Sequence, residues 1–120
     1  TLLLCNMDVK YDKNLLHYVV VTVIPIKEGR YLIAKRAEWE KAFPCKWTVP
    51  GGKVEVLDYT LKRKDTGEHW YNVLEEVAKR EVKEEVGLDV ENLGYVTSLV
   101  YIRDDKVLCM IISLYAEVND

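Results

Sequence analysis

Residues 80–88 have the sequence REVKEEVGL, and this stretch decides the fold because it fixes where the principal helix ends and what its last turns present. Glu81 stands three and four positions before Glu84 and Glu85, so helical geometry brings the three carboxylates toward one side of the last two turns. Gly87 is the residue type that ends a helix in the left-handed conformation. The sequence therefore predicts an acidic cluster at the C-terminal end of a helix.

The helix that carries this cluster is predicted over Val73–Val86. Asn72 precedes it with a side-chain oxygen suited to N-capping, and Glu75, three residues on, completes an Asn version of the capping box. An apolar stripe at helical spacing follows, formed by Leu74, Val77, Ala78, Val82 and Val86. This pattern is typical of an amphipathic helix that packs on a sheet.

Two predicted hairpins flank the helix in sequence. Residues 17–26 (HYVVVTVIPI) and 30–36 (RYLIAKR) are separated by the turn Glu28-Gly29, and residues 95–103 and 106–117 by the turn Asp104-Asp105. The order of strands, helix and strands predicts an α+β or α/β domain with a mixed β-sheet. The strand order does not follow from the sequence.

The segment between the first hairpin and the helix has two parts. Residues 46–50 (KWTVP) and 53–56 predict short extended pieces on either side of Gly51-Gly52, a pair that marks a close backbone passage. Residues 57–71 (LDYTLKRKDTGEHWY) have no periodicity and contain many charges, which predicts a long loop or an ordered insertion.

Composition limits the class of protein. The chain has 120 residues, 49% of them hydrophobic and 31% charged, which favours a single domain over residues 1–120. A net charge of −3 and a pI near 5.5 argue against bulk nucleic acid as a partner. A local basic pocket for a small polyphosphate would not show in the total charge.

Cysteine usage and hydropathy indicate the compartment. Cys5, Cys45 and Cys109 are widely separated and form no Cys-x-x-Cys pair, which favours a reducing cytoplasm over an oxidising compartment. No stretch approaches the roughly 18 apolar residues of a membrane span, and the N-terminal residues contain no secretory hydrophobic region. We therefore expect a cytoplasmic protein without a membrane partner.

The acidic cluster requires electrostatic compensation, because like charges at helical spacing repel and the helix dipole disfavours anions near its C-terminus. A hard divalent cation such as Mg²⁺ is one compensator, since it prefers carboxylate oxygens and also bridges substrate phosphates. Arg80 and Lys83 are purely structural alternatives, with Arg80 also placed for an ordinary surface ion pair with Glu76. The glycine pair upstream favours the metal, since backbone and phosphate can approach closely there.

At this point the sequence resembles a Nudix (MutT-like) hydrolase, whose signature is G-x5-E-x7-R-E-U-x-E-E-x-G-U with U aliphatic. Residues 80–88 match the second half of that signature at every fixed position, and residues 47–55 (WTVPGGKVE) are similar to its usual entry. The resemblance implies a Nudix-like α/β/α sandwich with a mixed sheet. It also implies a pyrophosphohydrolase that needs Mg²⁺, or Mn²⁺, to cleave a phosphoanhydride bond in a nucleoside diphosphate linked to another moiety.

The resemblance assigns roles to individual residues. It implies that Glu84 and Glu85 are the primary metal ligands, that Glu81 is a third ligand or the general base, and that the Gly51 carbonyl is a further ligand. Glu81, Glu84 and Arg80 form the expected catalytic set, with Arg80 orienting the carboxylates by charge-assisted hydrogen bonds. Which glutamate is the base stays open.

The signature is interrupted in the middle. Gly52 and Asn72 are 20 positions apart where the signature separates the corresponding residues by 6, so 14 residues are inserted. Counted back from Arg80, the first glutamate of the signature falls on Asn72, which cannot supply a carboxylate. Its role is then lost or moved to Glu68 or Glu75.

Other residues are candidates without an assignment. Lys35 and Arg36 contact phosphate in one alternative and form a solvated strand end in the other. Tyr59, Trp70 and Tyr71 of the inserted segment are expected to pack that segment against the rest of the protein rather than to stack on a nucleobase. His17 and His69 have no other metal-binding residue at the spacing that a zinc site requires.

Two competing functions stay open. A catalytically inactive Nudix-fold nucleotide sensor or interaction module fits the interrupted signature, and a structural domain with a merely solvated acidic helix is the third alternative. The sequence does not indicate which nucleoside diphosphate derivative is the substrate. Family members usually continue with another strand and a C-terminal helix, so the resemblance implies a truncated or minimal form, and a homodimer that completes it is left open.

Overall fold

The computed structural model describes residues 11–39 and 45–119, which form a mixed β-sheet with helices packed against one face. Its elements are β1 Tyr18–Lys27, β2 Arg30–Tyr31, β3 Ala34–Lys35, β4 Trp47–Thr48, β5 Gly51–Lys53, α1 Leu57–Thr60, α2 Val73–Val86, β6 Asp89–Ile102 and β7 Leu108–Asn119.

The main sheet has the strand order β2-β1-β7-β6, with β5 also paired to β1, while β3 and β4 form a separate two-stranded ribbon. β1 and β7 are parallel, and the other pairs are antiparallel, so the predicted mixed sheet is confirmed. Parallel pairing places the first strand of the described residues, β1, beside the last, β7, in a register that pairs Tyr18 with Cys109 and Ile26 with Glu117.

Helix α2 covers one face of this sheet and closes the core. Val77, Ala78 and Val82 of the predicted apolar stripe are buried, and Leu74 and Val86 are partly buried against the same cluster. The sheet contributes Val21, Val23, Val90, Leu114 and Ala116 to this core. Within residues 11–39 and 45–119, α2 is the only helix longer than one turn, so the second helical layer of the expected sandwich is not among the described residues.

Both ends of α2 lie at the predicted residues, but the prediction that Asn72 caps its N-terminus is wrong. Gly87 ends the helix with φ 72° and donates its N–H to the Lys83 carbonyl. Asn72 also adopts the left-handed conformation, with φ 57°, and its side chain makes no capping hydrogen bond. The predicted capping box is absent because a cap of that kind needs an extended residue, whereas the chain enters this helix through a left-handed turn.

The two predicted hairpins exist with altered lengths. The second hairpin is longer than expected, because β6 already begins at Asp89, where it pairs with Asn119 of β7. The register between β6 and β7 shifts near Gly94. In the first, β2 ends at Tyr31 and the chain leaves the sheet, so that Ala34 pairs with Thr48 in the separate ribbon.

The segment after the ribbon also differs from expectation. The strand predicted over residues 53–56 is present only at its start, since β5 ends at Lys53, the Val54 N–H still donates to the Val19 carbonyl, and residue 56 already precedes α1. Residues 57–71, the segment predicted as a long loop or an ordered insertion, begin with the single turn of α1. None of the helices in the described part of the chain combines the length and apolar character that crossing a membrane requires.

Candidate functional site

Strand β5 lies against the acidic end of α2, because its glycines have no side chains to keep the helix away. An ideal Cβ on Gly52 would lie 2.5 Å from the Cδ atom of Glu81. The N–H of Gly51 donates a hydrogen bond to Oε2 of Glu85, with a distance of 2.9 Å. The predicted close passage of the backbone is therefore occupied by two of the three predicted carboxylates.

Arg80 is shared among three acidic side chains. Its guanidinium lies 2.8 Å from Oδ1 of Asp58, 3.3 Å from Oε1 of Glu81 and 3.8 Å from Oε1 of Glu84. The alternative ion pair with Glu76 is not formed, since Glu76 pairs with Lys62 of the insertion instead. Arg80 thus contacts the carboxylates that it was expected to orient.

Glu81 is the most enclosed of the signature glutamates, with a side chain only 14% exposed, against 58% for Glu84. Burial raises its pKa above the usual range, Arg80 partly opposes this effect, and the like charges of Glu85, Glu84 and Asp58 raise it further. A carboxylate whose pKa is raised is better suited to accept a proton than an ordinary solvated one.

A cleft of about 670 Å³ opens beside this contact. Glu81, Glu85 and Arg80 line it from α2, and Gly51–Lys53 line it from β5. Lys35 of the ribbon β3–β4, Arg36 beside it and Lys53 of β5 add basic side chains to the same lining. The cleft therefore has an acidic wall, defined here as Glu81 and Glu85, and a basic wall, defined here as Lys35, Arg36 and Lys53.

Asp58 is a further acidic residue beside Arg80, and it is not among the residues predicted from the sequence. Its side chain is 9% exposed, contacts Arg80, and accepts a hydrogen bond of 2.7 Å from the Glu55 N–H. The signal was present, because counting the G-x5-E half of the signature forward from Gly52 leads to position 58. Among the described residues, those lining the cleft include neither Glu68 nor Glu75, the two expected substitutes.

The acidic side chains are not gathered around one point. Within residues 11–39 and 45–119, no group of three or more His, Cys, Asp or Glu side chains is arranged so that it could hold a metal ion as it stands. Glu85 is engaged with the β5 backbone, and Glu81 and Glu84 lie near Arg80. The donors are the hard oxygens that Mg²⁺ prefers, so the set fits the cation by its chemistry.

The aromatic residues of the insertion mainly pack. The rings of Tyr59 and Trp70 meet with centroids 5.2 Å apart, and the Trp70 indole N–H donates to the Lys62 carbonyl. Tyr71 stacks in parallel on His69 at the surface. His17 makes a contact only with the nearby Leu15 carbonyl among the hydrogen bonds of the described residues.

Comparison with known proteins gives a single family. A NUDIX domain model matches residues 16–111. The fold is similar to a MutT NUDIX hydrolase from Burkholderia pseudomallei, with 20% identity, a TM-score of 0.65, and alignment over 88% of this chain and 70% of that one.

Two NUDIX hydrolases from Nitrosomonas europaea are also similar. One has 17% identity and a TM-score of 0.62, over 88% of this chain and 61% of that one. The other has 27% identity and a TM-score of 0.57, over 87% of this chain and 48% of that one. The chain thus spans about half to two thirds of the length of these two relatives. No curated protein matches the sequence.

Proposed function

The chain belongs to the NUDIX family, and from that premise we propose that it is a Mg²⁺-dependent pyrophosphohydrolase. Its proposed substrate is a nucleoside diphosphate linked to another moiety, in which it cleaves the phosphoanhydride bond. The observation that carries the proposal is that Glu81 and Glu85 line the same cleft as Lys35, Arg36 and Lys53.

The two walls suit the two charges of the reaction. A diphosphate is negatively charged, so the basic wall attracts it. The long side chains of lysine and arginine can reach the phosphates whatever group is linked to the diphosphate. Glu84, Glu85 and the Gly51 carbonyl would hold Mg²⁺ or Mn²⁺, and Glu81 would be either a third ligand or the general base. When bound, the cation would neutralise charge on the phosphoryl oxygens and make a water molecule easier to deprotonate.

The remaining chemistry falls to the protein. A water oxygen attacks one phosphorus, the anhydride P–O bond breaks, and the bonding electrons leave with the departing phosphate. Glu81 is the favoured acceptor of the water proton, because burial and neighbouring carboxylates raise its pKa. Arg80 holds the acidic side chains apart and oriented, which makes it a positioning residue rather than one that touches substrate.

We place the extra residues that interrupt the signature directly after Asp58. In that alignment Asp58 takes the place of the first signature glutamate, and its 2.8 Å contact with Arg80 supports the placement. Residues 59–72 are then the inserted segment, and Asn72 has no role in the signature. The signature keeps a carboxylate at this position, although Asp replaces Glu.

The alternative is a catalytically inactive Nudix-fold nucleotide sensor. The observation that favours it is the spread of the acidic side chains, since no group of three in the described residues is preassembled for a metal ion. In either case the expected partner is a small nucleotide rather than bulk nucleic acid. The cytoplasm stays the compartment expected from cysteine usage, and a homodimer stays open.

The decisive experiment measures phosphate-containing products from a panel of nucleoside diphosphate derivatives, with Mg²⁺, with Mn²⁺ and with EDTA. The native chain is compared with Glu84→Gln, and Glu91→Gln on the exposed strand β6 serves as the matched control. Metal-dependent turnover that only Glu84→Gln abolishes supports the hydrolase. Nucleotide binding by a folded chain without turnover under any metal would support the sensor.

A further inference from the structure

Residues 61–71, here called the insertion loop, form a small folded unit with their own hydrogen bonds. The N–H of Asp65 donates to the His69 carbonyl at 3.0 Å, and the Asp65 carboxylate accepts from the Tyr71 N–H at 2.9 Å. The indole N–H of Trp70 donates to the Lys62 carbonyl at 3.0 Å. These contacts turn the chain back on itself between α1 and α2.

The insertion loop is tied to both helices. Trp70 packs on Tyr59 of α1, with ring centroids 5.2 Å apart and an interplanar angle of 55°. Lys62 forms an ion pair of 3.6 Å with Glu76 of α2. Because α1 has only four residues, it has too few internal hydrogen bonds to be stable alone. Its position therefore depends on what packs against it, and Trp70 is its aromatic partner.

The residue next to Tyr59 on α1 is Asp58, the closest partner of Arg80. The Asp58 carboxylate is nearly buried and joins the Glu55 N–H to the Arg80 guanidinium. Arg80 has longer contacts with Glu81 and Glu84, at 3.3 Å and 3.8 Å. The position of α1 therefore determines whether the Arg80 guanidinium stays paired with Asp58 or moves closer to these two glutamates.

We propose that Trp70 is a positioning residue, which acts through Tyr59 and Asp58 to hold Arg80 in place beside the acidic cleft. The catalytic meaning of this inference rests on the proposed function. When the Trp70–Tyr59 contact is lost, α1 moves, Arg80 loses its shortest ion pair, and its charge turns toward Glu81 and Glu84. Those carboxylates then compete less well for a divalent cation. The insertion is thereby a support for the cleft rather than a tolerated extra loop.

The test compares Trp70→Ala and Trp70→Phe with the native chain. Binding of Mn²⁺ alone is measured by EPR, and the ¹⁵N signals of the Arg80 guanidinium are recorded by NMR without metal or nucleotide. In Trp70→Ala we expect the Arg80 signals to shift and the Mn²⁺ Kd to rise about tenfold, with kcat reduced more than KM changes. Trp70→Phe, which retains a ring beside Tyr59, should restore most of this loss.

Two further variants keep the inference falsifiable. Tyr59→Ala removes the same ring contact from the α1 side while leaving the hydrogen bonds of the insertion loop intact, so it gives a result even if Trp70→Ala unfolds. His69→Ala is the matched control, because its ring lies in the same loop but stacks on Tyr71 instead of α1. It should leave the Arg80 signals and the Mn²⁺ affinity at native values.

The route through Asp58 is tested in an Asp58→Asn background. If Trp70 acts through Asp58, adding Trp70→Ala there should cause little further loss of Mn²⁺ affinity. Native Arg80 signals in both folded Trp70→Ala and Tyr59→Ala, or additive losses in the double variant, would overturn the inference. The Arg80 signals need neither metal nor substrate, so this failure is distinguishable from absence of hydrolase activity in the native chain.

Discussion

The carboxylate of Glu81 occupies the space into which any side chain at position 52 would project, since an ideal Cβ on Gly52 would lie 2.5 Å from its Cδ atom. This contact joins the two sequence features that carry the family resemblance, the glycine pair and the acidic helix. It also makes the backbone of β5 a wall of the cleft. Predictions about the cleft follow from it and from the charges around it.

Gly52→Ala should lower the free energy of unfolding by about 1–3 kcal/mol, because the added methyl group forces Glu81 or β5 to move. Turnover and cation affinity should fall as well. Chemical denaturation and Mn²⁺ binding measure the two effects. Gly67→Ala is the control, since a Cβ there meets nothing within 4 Å. Equal unfolding free energies for the two variants would contradict the close contact.

Glu81→Gln should alter stability in a pH-dependent way. The pKa of Glu81 is raised in the folded protein, so folding favours its protonated form; this contribution is complete below the unfolded value near 4.5 and is lost as pH rises through the folded pKa. Without metal, the variant should therefore match the native chain in acid and exceed its unfolding free energy at neutral pH.

The same variant should lose about 100-fold or more in kcat if Glu81 accepts the proton. Urea titrations in EDTA between pH 4 and 8 measure the stability difference, and steady-state kinetics measure the loss. Glu75→Gln on the same helix serves as the control for both. If the difference in unfolding free energy between Glu81→Gln and the native chain did not change with pH, the pKa of Glu81 would not be raised by folding.

Lys53→Ala and Lys35→Ala should each raise KM up to about fivefold, with a smaller effect on kcat, because an exposed charge contact contributes at most about 1 kcal/mol. The effect should shrink as salt is added, since these side chains are solvated. Lys106→Ala, in the turn between β6 and β7, is the control. A KM that is indifferent to both cleft lysines would mean that the basic wall does not hold the phosphates.

Asn72→Ser should lower the free energy of unfolding by about 1 kcal/mol, because serine tolerates the left-handed conformation poorly. Asn72→Gly should be neutral or slightly stabilising, since glycine adopts φ 57° freely and no side-chain cap is lost. Thermal unfolding of the two variants is sufficient. The reverse order, with serine retaining stability and glycine losing it, would indicate a side-chain cap.

Much of the fold follows from local pattern. The apolar stripe of α2, its start at Val73 and its end at Gly87 are all where the sequence places them, because these features depend on residues within a few positions of one another. The cap at Asn72 was wrong for a related reason. The residue type suits both an extended cap and a left-handed turn, and only the path of the preceding loop selects between them.

The candidate site was predictable in part. The glutamates of α2 and the glycine pair were identified from spacing, but their direct contact was not, since it depends on how β5 pairs with β1. Asp58 was missed because the signature was counted back from Arg80, which leads to Asn72, whereas the count forward from Gly52 leads to Asp58. The sequence does not choose between the two counts, and the 2.8 Å contact between the Asp58 and Arg80 side chains favours the second.

By itself, then, the sequence determined the helix, its acidic end, the hairpins and the family signature, all of which depend on short-range geometry. The tertiary structure decided which strand lies beside which, that β1 and β7 pair in parallel, and that Arg80 is held by Asp58 across the insertion. These contacts join residues far apart in the chain, so they depend on the packing of the sheet and helices around a common core rather than on any local preference.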